Sequence, residues 1–172
     1  MSICSQTLAG IAKDCSANMG GIVAVYIANF DDVASIAEAS GEITTITMEA
    51  SKTFKTYEFA RNTGAMTSTY TIDEASGVKY VTTEVALQFN RMETAKRVEM
   101  AALVAADARV MVKDANGKYW FLGHDEPVTA TASDGATGTA RGDANKYGIT
   151  LTDISKEYPM EVPTATAEAV IS

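Results

Sequence analysis
Residues 52–107 read KTFKTYEFARNTGAMTSTYTIDEASGVKYVTTEVALQFNRMETAKRVEMAALVAAD, and the fold depends on how this stretch divides. Residues 78–89 alternate: Val81, Thr83, Val85, Leu87 and Phe89 share one face, and Tyr80, Thr82, Glu84, Ala86 and Gln88 share the other. Side chains along a strand point alternately to opposite faces, so this is a strand with one apolar and one wet side. Residues 53–60 and 66–72 are read as the first arm of the same hairpin, interrupted by Arg61-Asn62-Thr63-Gly64 as a bulge or small loop, with the tip at 73–77. A hairpin spanning 52–89 outreaches the core a chain of 172 residues can supply, so its outer half is expected to project and to need a partner surface.

Asn90 followed by Glu93 resembles a capping box, which predicts a helix over 90–106. Glu93 and Arg97 stand one turn apart, and Ala95, Val98, Ala102, Leu103 and Ala105 form its expected apolar face.

Working outward, residues 22–29 are apolar on both faces and predict a central strand covered on both sides. Residues 31–40 are read as a short helix or loop, because Val33, Ile36 and Ala37 have helical spacing and Asp31 or Asp32 could cap it. Residues 42–49 alternate as a strand. After the helix, residues 109–113 and 118–122 flank Asn116-Gly117, a strong short-hairpin signal. Residues 128–132, 147–152 and 154–162 are further strand candidates, and the glycine-rich 133–144 reads as a flexible loop. The expectation is a mainly β fold: an antiparallel β-sandwich or barrel with one packed α-helix and a long projecting hairpin. Its organisation is an N-terminal arm (1–20), one domain (21–162) and a flexible C-terminal tail (163–172).

Net charge is −8, which disfavours holding nucleic-acid phosphates. The start of the chain has no basic region followed by an apolar core, and no run is long enough to span a bilayer, so no secretory signal or membrane anchor is expected. Cys4 and Cys15 match no zinc motif and are expected to be free thiols in a protein made in the cytoplasm.

A search for chemistry gives few candidates. His124, the one histidine, stands beside Asp125 and Glu126, a set that could act in acid–base chemistry, hold a metal or bind a small ligand. No Ser or Cys motif accompanies it, and a loop histidine at a strand end is the preferred reading. Asp31-Asp32 and Asp73-Glu74 lack the ligand spacing of a calcium loop and read as solvated turns. The glycines of 135–142 match neither phosphate-binding pattern. Tyr119, Trp120 and Phe121 could stack on bases or sugars, but in an alternating strand one face of such a triplet is core. No catalytic, metal or cofactor site is expected, and neither is an enzyme.

The order of elements across 21–162 resembles the tail-tube fold of tailed bacteriophages, shared by tube proteins of contractile injection and type VI secretion systems. That resemblance implies a structural virion protein, assembled in the host cytoplasm, whose copies form homo-oligomeric, stacked rings with other tail or connector proteins while DNA passes without specific binding. It implies an oligomer interface on the hairpin, at Tyr57, Phe59, Met66, Tyr70, Val78, Tyr80, Val81, Val85 and Leu87. Thr82, Glu84 and Gln88 would face the lumen, where excess acidic charge repels DNA. Loops 61–66 and 133–144 are the candidates for inter-ring contact. The alternatives are a head-decoration or fibre-attachment virion protein, contacting its partner through loop 133–144 and the tail, and a small ligand-binding module around His124.

Overall fold
The computed structural model describes residues 6–172. The chain is mainly β, with two sheets in a sandwich-like arrangement and one helix of more than two turns. In chain order the elements are β1 (Ile22–Asn29), β2 (Val33–Ala39), β3 (Glu42–Met48), β4 (Lys55–Tyr57), β5 (Ala65–Asp73), β6 (Val78–Asn90), α1 (Thr94–Ala105), β7 (Ala108–Asp114), β8 (Tyr119–Leu122), β9 (Thr129–Ala136), β10 (Lys146–Ser155), β11 (Met160–Val162) and α2 (Thr164–Ala169). Sheet one has the order β2-β3-β11-β8-β7-β1-β4, and sheet two the order β5-β6-β10-β9.

β1 is buried on both faces over Val25–Ala28, as its two apolar faces require, but it stands next to the edge strand β4 and not at the centre of its sheet, which corrects that expectation. Val25 and Ile27 enter a core between the sheets with Val85, Leu87, Ile149 and Leu151. Tyr26 and Ala28 enter a second core with Ile43, Phe54, Phe121 and Val170. That second cluster draws on β3 near one end of sheet one and on Phe54 at the other, so the sheet curls around it. The C-terminal segment closes the opening: Thr166 Oγ1 donates to the Thr44 carbonyl, Phe54 N–H to Val170 O, and Ser172 N–H to Phe54 O. Ala167 and Val170 are buried there. The expectation of a loose tail over 163–172 is therefore corrected, and with it the idea that this tail is free to make attachment contacts.

The stretch 52–107 divides differently from its sequence reading. β6 alternates as expected, and β5 pairs with it from Ala65↔Ala86 to Asp73↔Val78. Residues 55–57, however, leave the hairpin and pair with β1 in the other sheet, so 58–64 is a crossing between sheets and not a bulge within one arm. Gly64 makes that crossing tight: a Cβ there would lie 2.7 Å from the Phe59 ring and 3.0 Å from Ile22. β6 is also covered along most of its length by β10, ending at Ser155↔Val81, so only the rungs beyond Val81 and the turn project.

α1 begins at Thr94, and the Asn90–Glu93 capping box does not form. β6 continues through Asn90, Arg91 takes a positive φ of 65°, and the backbone N–H groups of Arg91 and Met92 are satisfied by Asn145. Glu93 pairs with Lys96 at 3.0 Å in place of Arg97. The buried helix residues are Met100 and Leu103, while Val98 and Val104 are exposed.

Residues 33–39 form a strand, not a helix. Register shifts between Val33 and Ser35 and between Ala37 and Glu38 mark β-bulges, and an extra residue lets Val33 and Ile36, three apart, turn the same way. β9 likewise extends through Ala136, shortening the glycine-rich loop, whose Thr139 and Ala140 N–H groups both donate to Asp143. Residues 6–20 form an exposed arm with no regular structure, anchored near its base by Asn116, which accepts from Met19 N–H and donates to Asn18. Cys15 is exposed and free, and Cys4 lies outside the described residues.

Candidate functional site
The hairpin residues proposed as an interface separate into two groups. Val81, Val85 and Leu87 are sealed in the chain's own interior, Val85 and Leu87 against residues of sheet one, and they have no surface to offer a neighbour. Tyr57, Phe59 and Met66 are half-buried against the same core, and the Tyr57 hydroxyl donates to the Glu99 carboxylate. Burial, then the Glu99 contact, raises the Tyr57 pKa. Tyr70 and Val78 remain on the surface, Tyr80 is half-buried, and Ile72, which the sequence reading passed over, is 61 % exposed. Beyond Val81 both faces of the hairpin are open. Tyr70 faces one way, its hydroxyl donating to Lys156 O and its ring meeting Tyr158 edge-on at 5.1 Å.

Thr82, Glu84 and Gln88 do share one surface. Register places Thr69 opposite Thr82, Thr67 opposite Glu84, and Thr152 on the other flank of Glu84. The outer face of sheet two is thus rich in threonine, with the exposed Ile154 beside Thr82. A Cβ added at Gly148 would meet Asp134 Oδ1 at 2.3 Å, so this second carboxylate lies across the same face.

A second place of interest lies where β8 ends, among residues of β2, β8 and the end of β10. β8 sends Tyr119 and Phe121 into the second core, while the Trp120 indole donates to Asp114 Oδ2 at 2.9 Å; the triplet is structural. Gly123 follows with φ of +87°, a conformation suited to glycine, and a Cβ there would crowd Ala108 O at 3.2 Å and the Arg109 backbone at 3.3 Å. This turn delivers His124 to Glu38, with Nε2 3.0 Å from Oε2, and to Asp125, with Nδ1 3.1 Å from Oδ1.

Beneath them is Asp153, on the inward face of β10 in line with Ile149 and Leu151 and only 3 % exposed. Its Oδ1 has no hydrogen-bond partner. Burial pushes its pKa up to about 6, with Asp125 and Glu126 adding to the rise and the Gly123 N–H and His124 opposing it. Glu38, Phe121, His124, Asp125, Asp153 and Tyr158 are among the residues around a cleft of about 250 Å³.

Of the sequence candidates, His124 and Asp125 meet in this cleft, and Glu126 stands outside its lining. Asp153 and Glu38 were missed. A lone aspartate in the inward register of an apolar strand was the available signal for Asp153, while Glu38 reaches the site only through the fold of β2. Asp31 and Asp32 sit in a short turn where Asp32 pairs with Lys52 at 3.5 Å, and Asp73 accepts from Ala75 and Ser76 N–H in the hairpin turn. No group of three or more His, Cys, Asp or Glu among the described residues is placed to hold a metal ion. Comparison with protein-family models, curated proteins and solved structures gave no match.

Proposed function
We propose that this chain is a structural subunit that assembles with copies of itself into a ring, of the kind that forms a phage tail tube or connector through which DNA passes. The observation that carries the reading is the β5 edge. β5 has nine residues, pairs only with β6 among the described residues, and ends in a tip with exposed Tyr70, Ile72 and Val78. A long open edge with apolar side chains is a template for another chain unless something blocks it. The opposite edge, β9, is flanked by α1, so β5 is the freer of the two. Where the β5 edge of one copy meets a different surface of the next, the contact is head-to-tail, and head-to-tail contacts close into rings when the rotation permits.

The outer face of sheet two suits a wet lumen. Its threonines, Gln88, Glu84 and Asp134 present hydroxyl, amide and carboxylate groups, and carboxylates repel DNA phosphates. On this reading the chain is not an enzyme, its partners are further copies and adjoining virion proteins, and it ends in the virion. The buried state of Val81, Val85 and Leu87 moves the interface outward to the β5 edge and the tip. Electron microscopy and light scattering of the purified protein test this. Rings or tubes are the expected result, and a monomer at every concentration reached overturns it.

A further inference from the structure
The assembly reading rests on the β5 edge and does not require the cleft beneath His124, whose chemistry is specific. Asp153 is buried with one carboxylate oxygen unpaired, and its one favourable backbone contact is the Gly123 N–H. A buried charge lacking a partner is costly, and the partner a carboxylate lacks is a donor, best supplied by a cation. Glu38 and Asp125 stand above it, already drawn together by His124. Phe121 and Tyr158 add aromatic surface. We propose that this cleft is a binding site for an alkylammonium or alkylguanidinium group.

Size and composition narrow the class. A space of about 250 Å³ lies below the range of roughly 300–1,000 Å³ usual for drug-sized ligands, which suits a cationic head with a short stem. The carboxylates take the head by charge-assisted hydrogen bonds, and aromatic faces attract both the cation and its methylenes. A bare metal ion fits less well, because the acidic groups and His124 are not gathered into a ligand set. The chain's own Lys156 borders the cleft but forms none of the ion pairs found among the described residues. The group has two possible sources: a free amine, or a Lys or Arg side chain of a second copy.

The test is titration of the folded protein with n-butylammonium and n-butylguanidinium chloride, read by the amide NMR signals of Gly123 and Asp153, with sodium chloride and n-butanol as controls. The expected result is saturable shifts with at least one cation, weakened tenfold or more by Asp153→Asn and several-fold by Glu38→Gln, and absent with both controls. No saturable shift, equal binding by Asp153→Asn, or an equal response to n-butanol overturns the site. Light scattering at saturating ligand separates the sources: loss of self-association assigns the group to a second copy, and unchanged scattering assigns it to a free amine. Both results support the site. Because binding is read on any folded chain, a failure to form rings would remove the assembly reading and leave this one standing.

Discussion

Asp153 and Thr83 face each other across β10 and β6, both shut off from solvent; Thr83 has its side-chain hydrogen bond, to Ser68 at 2.9 Å, while the Asp153 Oδ1 has none. From Val85 to Phe89 and from Tyr147 to Leu151 the inward faces are apolar, so this rung is where the core becomes polar. An unpaired carboxylate oxygen at such a position opposes folding whenever it is charged.

Stability should therefore depend on pH in a direction opposite to that of an ion-paired aspartate. The folded pKa of about 6 lies above the ordinary 3.8, so between those values the native chain holds the proton more tightly than the unfolded one. This group's contribution is fully present at low pH and is lost as pH rises through that window, by roughly 3 kcal/mol at about 1.4 kcal/mol per pKa unit. Urea unfolding at pH 4 and pH 7.5 measures it: Asp153→Asn should be more stable than wild type at pH 7.5, and the gap should shrink at pH 4. A gap that does not change with pH contradicts the assignment.

Charging the hairpin tip separates assembly from folding. Ile72 and Val78 are 61 % and 41 % exposed, and both lie beyond the rungs that β10 covers. Ile72→Lys with Val78→Lys should change monomer stability by less than about 1 kcal/mol, as surface substitutions do. Self-association should fall sharply, measured by light scattering. Assembly unchanged by both charges would place the contact elsewhere.

Gly123→Ala tests the turn that positions the cleft. The added methyl meets the Ala108 carbonyl and the Arg109 backbone, and the residue must keep a positive φ. A loss of roughly 1–3 kcal/mol is expected, combining about 1 kcal/mol for left-handed backbone with the crowding. The His124 ring signals in NMR should shift with it, since that turn sets its place beside Glu38.

Deleting residues 163–172 should remove far more than a tail. It takes away buried Ala167 and Val170 and both backbone hydrogen bonds to Phe54. A loss of several kcal/mol is expected, which at roughly 2–4 °C per kcal/mol lowers Tm by about 10 °C or more. A Tm unchanged by the deletion would show that the second core closes without this segment.

Much of this fold can be read from local pattern. The β6 alternation, the buried character of β1 and the Asn116-Gly117 turn are properties of adjacent residues, and the structure has them. The misreadings share one cause, which is contact between distant segments. Residues 55–57 look like the hairpin's first arm because their alternation says strand without saying which sheet. The β2 bulges give a strand the spacing of a helix. Asn145, more than fifty positions away, takes over the amides that a capping box at Asn90 would have served. The cleft was half visible for the same reason: His124 and Asp125 are neighbours in sequence, whereas Glu38 and Asp153 arrive from other strands.

The strand order also sets a timetable for folding. β5 and β6 are joined by a four-residue turn over residues 74–77, and such hairpins close within about 1–10 μs. Sheet one has no comparable start for its two longest-range pairings: β1 must wait for β7, and β3 for β11, before either ladder exists. Pairings of that sequence separation slow folding. Sheet two's hairpin is therefore formed, with its open β5 edge and apolar tip on display, while the seven-stranded sheet is still being assembled. In a crowded cell this is the interval in which premature pairing between chains competes with folding.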